Sequence, residues 1–252
     1  MKKVLIGCFL LFSVVLAQAL PVLYDPRIKS PKPNFSLEET QQVNKDLVYL
    51  EKNAWSKELK QLTDSCGALP SSRDLIGRVS GSFLKVKTKE VLYGVSVRGC
   101  SDGGSLASIV LIYRDQRLIQ AFQVIPPYES TPFCGLDALF SIKDINLNNF
   151  SELGLTWGCG ENGSSVIRLE IMEFAPKNAS VIFRHDVEEV SGDEINPKHV
   201  AYVLHVIKGK IPQVIGQQLS WIEKTQTWIP TDKLEVLKSD TDQMFVISPL
   251  LK

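Results

Sequence analysis

Residues 89–105 read KEVLYGVSVRGCSDGGS, and residues 151–164 read SELGLTWGCGENGS. Each stretch begins near a glutamate that leads an apolar run, and each continues into a Gly-Cys pair followed by polar residues and glycine. Apolar residues that alternate with small or polar ones are typical of a half-buried strand. The two stretches, whose cysteines Cys100 and Cys159 are 59 residues apart, therefore predict a repeated β unit.

Further β-rich stretches lie on both sides of these two, and polar turns separate several of them. They cover residues 109–113, 118–125, 138–142, 167–171, 181–183, 200–206, 214–222 and 228–237. We therefore expect a first β repeat over residues 78–130, a second over residues 131–191 and a degenerate third unit over residues 192–252.

The amino terminus has the pattern of a secretory signal peptide over residues 1–19. Two lysines precede an apolar run over residues 4–17, and Ala17-Gln18-Ala19 supplies the small residues of a cleavage site. The pattern predicts cleavage after Ala19 and a secreted, periplasmic or cell-surface location. No later stretch is long and apolar enough to span a bilayer, so we expect no integral membrane segment after cleavage.

A proline-rich lead-in over residues 20–35 precedes a predicted helical segment over residues 36–66. Ser36 and Glu39 fit a capping box, and apolar residues recur from Val43 onward at three- and four-residue spacing. This amphipathic pattern predicts a helix that covers a β-sheet or its exposed edge.

Four cysteines remain after signal cleavage, namely Cys66, Cys100, Cys134 and Cys159. In an oxidising compartment an even number of cysteines indicates two disulfides, and four cysteines allow three pairings. In an antiparallel meander the start of the first strand and the end of the second lie at the same edge. The repeat therefore predicts the bridges Cys66–Cys100 and Cys134–Cys159.

The loop between the predicted strands of the second repeat carries the pattern of a cation site. Oxygen-bearing side chains stand at positions one, three, five and nine, and a backbone carbonyl stands at position seven. These residues are Asp144, Asn146, Asn148, Glu152 and, for the carbonyl, Phe150. An all-oxygen set on alternate residues of a tight loop suits Ca²⁺. The alternative is a loop held by Asx turns without an ion.

This loop resembles the DxNxDGxxDL loop of FG-GAP and VCBS repeats, the units of integrin-α-type β-propellers. The resemblance is best over residues 136–190, and it implies exported proteins of the bacterial kind. Asn149 replaces the usual glycine, and two of the usual aspartates are asparagines here, so we expect modest affinity for Ca²⁺. The first repeat has the cationic stretch Lys85–Lys89 at the corresponding place, and it cannot bind Ca²⁺ in this way.

Together the repeat and the resemblance predict a mainly β fold of antiparallel four-stranded, propeller-blade-like sheets, two clear and one degenerate. About three units are too few to close a propeller of four to eight blades. We therefore expect open or sandwich-like packing of the sheets, with the N-terminal amphipathic helix against them.

The net charge and the absence of several known motifs argue against some classes of function. The 28 basic side chains balance the 28 acidic ones, which argues against capture of nucleic acid or anionic lipid by the surface as a whole. Nucleophile-elbow, zinc-protease, Walker and dinucleotide motifs are absent. His185, His199 and His205 are the three histidines, and packing or surface positions explain His199 and His205 better than metal binding.

The leading hypothesis is an exported, non-enzymatic binding or structural β-repeat module, which Ca²⁺ would stabilise and whose ligand is an unknown protein or glycan. The alternative is a secreted hydrolase that uses loop carboxylates. A third hypothesis is self-assembly through an unpaired sheet edge. A cleft in which perturbed carboxylates converge would favour the hydrolase.

Overall fold

A computed structural model describes residues 20–28, 33–55, 73–98, 105–124, 134–161, 164–191, 198–239, 246–247 and 249–251. These residues form one helix and thirteen strands. The elements are β1 (Val22–Tyr24), α1 (Leu37–Asn53), β2 (Arg73–Gly81), β3 (Glu90–Arg98), β4 (Ser105–Arg114), β5 (Arg117–Val124), β6 (Cys134–Lys143), β7 (Ser151–Glu161), β8 (Ser164–Ala175), β9 (Asn178–Ser191), β10 (Lys198–Ile207), β11 (Gln213–Ile222), β12 (Thr227–Leu237) and β13 (Val246–Ile247).

The strands form two antiparallel sheets. The first has the order β2-β3-β4-β5, and the second has the order β12-β11-β10-β9-β8-β7-β6, with β1 paired to β10 and β13 paired to β9. The predicted mainly β, antiparallel class with an N-terminal helix is confirmed. The second and third units share one sheet, because residues 198–201 of β10 pair with residues 188–191 of β9.

Helix α1 covers one face of the first sheet. Its predicted capping box is present, since Ser36 Oγ accepts the Glu39 N–H at 3.1 Å and Glu39 Oε2 accepts the Ser36 N–H at 2.9 Å. Its apolar side packs against the first sheet through Val43, Leu47 and Leu50. The helix therefore covers a sheet face rather than an edge. Residues 56–66 of the predicted helical segment lie outside the described residues.

Hydrogen bonds hold the start of α1 to the sheet below it. The Tyr93 hydroxyl donates to Glu39 Oε1 at 2.9 Å, and the Arg78 guanidinium pairs with the same carboxylate. The Ser36 N–H, Arg78 and Tyr93 together lower the pKa of Glu39 to about 2. The capping carboxylate is thus a tether between helix and sheet as well as a cap.

The other face of the first sheet packs against the second sheet, so the two form a sandwich with a shared core. Leu139 on β6 lies at the closest approach, over Gly77 and Gly94, which are partners in the β2–β3 ladder. A Cβ added at Gly94 would lie 2.5 Å from Leu139 Cδ1. The core members are Phe83, Leu92, Val110, Ile112, Phe122, Val124, Leu136, Leu139, Leu153, Leu155, Trp157, Met172, Phe174, Ala179 and Val181.

A separate core joins the second unit to the third. It combines Ile171 of β8 and Phe183 of β9 with Leu204 of β10, Val214 of β11 and Leu237 of β12. The second unit therefore has a hydrophobic core on each of its two faces. Each part of the molecule therefore packs on the next: the helix on the first unit, the first unit on the second, and the second on the third.

The disulfide Cys134–Cys159 is present, and its two residues are directly opposite each other on β6 and β7. This is the pairing that the meander argument predicts for the second repeat. The predicted Cys66–Cys100 bridge lies outside the described residues.

We expect Gly94→Ala to destabilise the protein by about 2 kcal/mol, because the new methyl group displaces Leu139 from a filled core. Urea unfolding would measure the change. The matched control is Gly158→Ala, whose Cβ would meet nothing closer than Asp137 Cβ at 3.9 Å and should leave the free energy of unfolding nearly unchanged. If the two variants lost equal stability, the close contact would not be the cause.

Candidate functional site

All five predicted cation ligands lie in or next to one loop, between β6 and β7. Three of its residues, Asp144, Leu147 and Asn149, have positive φ angles of 36°, 63° and 69°. Asparagine and aspartate adopt this left-handed conformation more readily than most residues. Asn149 thus holds the position that glycine occupies in the loop that the sequence resembles.

Asx-type hydrogen bonds close the loop on itself. Asp144 Oδ1 accepts the Asn148 N–H at 2.9 Å, and Asn146 Oδ1 accepts the same N–H at 3.2 Å. Asn148 Oδ1 accepts the Phe150 N–H at 2.8 Å. Each of these oxygens has a second lone pair, so accepting one hydrogen bond leaves capacity for another contact.

Glu173 on β8 belongs to the site, although sequence reasoning missed it. Asn146 Nδ2 donates to Glu173 Oε2 at 3.1 Å, and Asn148 Nδ2 donates to Glu173 Oε1 at 2.6 Å. This carboxylate fixes both amides, with their nitrogens turned towards β8 and their oxygens turned into the loop. Glu173 lies on the following hairpin, and the loop motif carries no signal for it.

Glu152, the last predicted ligand, is a buried carboxylate that the described residues satisfy only in part. Its Oε2 accepts the Ile145 N–H at 3.0 Å, while its Oε1 is buried and has no hydrogen-bond partner among the described residues. Burial raises the pKa of Glu152, and the nearby charge of Asp144 raises it further. The backbone N–H groups of Ile145, of Glu152 itself and of Asn146 act in the opposite direction.

The first repeat also holds a buried glutamate with backbone N–H groups, but there a cation balances the negative charge. Glu90 is fully buried, and its Oε2 accepts the N–H groups of Phe83 and Leu84, each at 2.7 Å. Phe83 stands seven residues before Glu90, as Ile145 stands seven before Glu152. The second oxygen of Glu90 pairs with the Arg114 guanidinium.

In both loops a buried glutamate accepts backbone N–H groups of the loop before it, and the two loops differ in the counter-charge. Lys87 has a φ of 57° at the place of Asn149, which supports the match between them. In the first loop Arg114 supplies a cation to the buried glutamate. In the second, the equivalent oxygen has no partner in the described part of the chain, and Asp144 lies nearby instead.

The other candidate residues occupy separate environments. His199 stacks on Trp221, with ring centroids 5.2 Å apart, and both rings contact Trp228 edge-on. His205 is buried on the same strand. Trp157 is fully buried, as its alternation with core residues predicts, and it donates to Glu170 at 2.8 Å. Among the described residues, no group of three His, Cys, Asp or Glu side chains could hold a metal.

Among the described residues, the carboxylates whose pKa values are raised by burial lie in separate places. Burial raises the pKa of Glu152, Glu170 and Glu188, but each interacts with different charged groups. A cavity of about 450 Å³ lies between α1 and the first sheet, and a groove of about 480 Å³ lies between β2 and β6. Neither is lined by any of these three glutamates.

We expect opposite effects from the same substitution at the two equivalent glutamates in metal-free buffer at pH 7. Glu90→Gln should lower the free energy of unfolding by about 2 kcal/mol, because it removes the partner of Arg114. Glu152→Gln should leave stability unchanged or raise it, because it removes a buried charge that lacks a cation.

The pH dependence gives a second test of the same pair, again by urea unfolding. The native state keeps a proton on Glu152 at pH values where the unfolded chain has lost it, so the Glu152 term stabilises at low pH and is lost as pH rises through the raised pKa. The advantage of Glu152→Gln over the wild type should therefore shrink as the pH falls towards 4.5. An advantage that stays constant with pH would contradict this assignment.

Comparisons with protein-family models, with curated proteins and with solved structures find no match to this chain.

Proposed function

We propose that this protein is an exported, non-enzymatic β-repeat module that Ca²⁺ stabilises through the loop between β6 and β7. The observation that carries the proposal is the buried Glu152 Oε1, which has no hydrogen-bond partner among the described residues. A buried carboxylate oxygen without a partner is costly, and a bound cation would remove that cost. The equivalent glutamate of the first repeat has a guanidinium in this role.

The residues of the loop fit a hard cation. Asp144 and Glu152 would supply carboxylate oxygens, Asn146 and Asn148 would supply amide oxygens, and Phe150 would supply its carbonyl. Glu173 would act as a positioning residue, because it already holds both amide nitrogens away from the loop centre. With two formal anions among the ligands, the affinity would fall in the range of extracellular modules, about 10⁻⁴ to 10⁻³ M.

The cation would stabilise the contact between the second and third units. Ile145, inside this loop, is a member of the core that joins them. Its carbonyl oxygen accepts the Gly209 N–H at 3.0 Å, and Lys208 Nζ donates to the carbonyl oxygens of Lys143 and Asp144 at 2.6 and 3.0 Å. A loop fixed by an ion would therefore hold the β10–β11 connection in place.

A binding or structural role is better supported than hydrolysis. A hydrolase that uses two acids needs them on either side of one substrate site. The three glutamates with raised pKa values lie in separate environments, and Glu170 is held between Arg184 and Trp157. The resemblance of the loop to FG-GAP and VCBS repeats points in the same direction.

We expect chelator-treated protein to bind Ca²⁺ in isothermal titration calorimetry with a dissociation constant near 10⁻⁴ to 10⁻³ M. Glu152→Gln and Asp144→Asn should each abolish this binding, because each removes one of the two anionic ligands. In the wild type, excess Ca²⁺ should raise the melting temperature, since the ion binds the native state only.

The matched control is Glu90→Gln, which changes the equivalent glutamate of the loop that carries its own cation. It should lower the melting temperature and still bind Ca²⁺ with the affinity of the wild type. Absence of Ca²⁺ binding by the wild type at millimolar concentrations would refute the ion site.

A further inference from the structure

Three hairpin loops, one from each β unit, lie side by side at one end of the molecule. They connect β2 to β3 (residues 82–89), β6 to β7 (residues 144–150) and β10 to β11 (residues 208–212). The Ser151 N–H donates to the Ser82 carbonyl at 2.9 Å, and the Ser82 N–H donates to Ser151 Oγ at 3.1 Å. The Gly209 N–H donates to the Ile145 carbonyl at 3.0 Å. These bonds join the first loop to the second and the second to the third.

Each of the three loops presents an aliphatic side chain to solvent. Val86 is 38% exposed, Leu147 is 58% exposed and Ile211 is 87% exposed. A loop needs only polar residues to be soluble, and an exposed aliphatic side chain at its tip adds nothing to the core. Single exposed aliphatic side chains are ordinary on a protein surface, but three of them on adjacent loops form a group that an apolar partner would contact.

Lysines lie on two of these loops and directly before the other. The three loops and the residue before the second contain six lysines and one exposed or partly exposed acid, Asp144. All six lysine side chains are exposed, and they are Lys85, Lys87, Lys89, Lys143, Lys208 and Lys210. The chain as a whole has a formal net charge of +0. The partly exposed Glu173 lies against the second loop, and Asp115 lines the same cavity as Lys89. The three loops still carry a net positive charge, to which the argument from total charge does not apply.

We propose that this end of the molecule, the loop end, docks on a bilayer that contains anionic lipid. The three aliphatic tips would enter the interface, and the lysines around them would contact lipid phosphates. The apolar side chains stand on separate loops among lysines, whereas a protein interface has a continuous apolar core from which lysine is depleted. The pattern therefore fits a lipid surface better than an acidic protein. The proposal does not depend on Ca²⁺ binding.

The test is co-sedimentation with vesicles, in EGTA, of the chain from Leu20 to Lys252, which contains every described residue. Vesicles of phosphatidylcholine with about 30% phosphatidylglycerol should bind it, and vesicles of phosphatidylcholine alone should not, because the lysines need an anionic surface. The triple variant Lys85→Gln, Lys87→Gln, Lys210→Gln should lower the partition coefficient about 100-fold, at about fivefold per lysine.

The double variant Leu147→Asn, Ile211→Asn should lower the same coefficient by about tenfold or more with no change in charge, because it removes the two most exposed tips. The matched control is Lys224→Gln, Ile229→Asn. It removes a lysine of the β11–β12 turn, at the opposite end of β11, and a half-exposed isoleucine of β12. Melting temperatures would show that all variants remain folded.

The control variant should bind as the wild type does. Three outcomes would each overturn the proposal: no binding of the wild type to anionic vesicles, equal binding to neutral vesicles, or an equal loss in the control. The first of these would leave an acidic protein as the partner that fits the lysines.

Discussion

The contact of Leu139 with Gly77 and Gly94 determines how closely the two sheets pack. Because neither glycine has a Cβ, β6 can approach β2 and β3 more closely than any larger residue at these positions would allow. Gly81 permits a second close approach, because a Cβ added there would lie 2.9 Å from Ser151 Cβ. Ser151 therefore hydrogen-bonds to Ser82, which places the first two hairpin loops side by side. The arrangement of the loop end thus depends on glycines at the contact between the sheets.

Sequence alternation predicted most strands, because each has one face in a core. It could not predict that β9 contributes side chains to two different cores. Ala179 and Val181 face the core shared with the first sheet, whereas Phe183 and Val187 face the core shared with the third unit. A register shift in the β8–β9 ladder, between the partners Phe183 and Val181, separates these pairs. An extra residue in a strand moves the following side chains to the opposite face, and a sequence pattern does not show where it falls.

The candidate site likewise contains residues that the sequence identifies and residues that it does not. The residues of the loop could be found from their spacing, and the glutamate-led strands pointed to the matching positions Glu90 and Glu152. The residues that distinguish the two loops could not be found, because they arrive from other strands. Arg114 lies 24 residues after Glu90, and Lys208 lies 64 after Asp144. A repeat identifies equivalent positions, but partners from later hairpins decide whether such a position carries its own cation.

The two proposals are coupled through charge. Asp144 is the one exposed or partly exposed acid among the described residues of the three loops, and Glu152 lies buried beneath it. A cation held between them would neutralise these two carboxylates and raise the net positive charge of the three loops. Docking on an anionic surface would then be stronger with the ion bound, and by thermodynamic reciprocity the surface would strengthen binding of the ion. A weak ion site can respond to such a surface, since the ion occupies it only in part at millimolar concentrations.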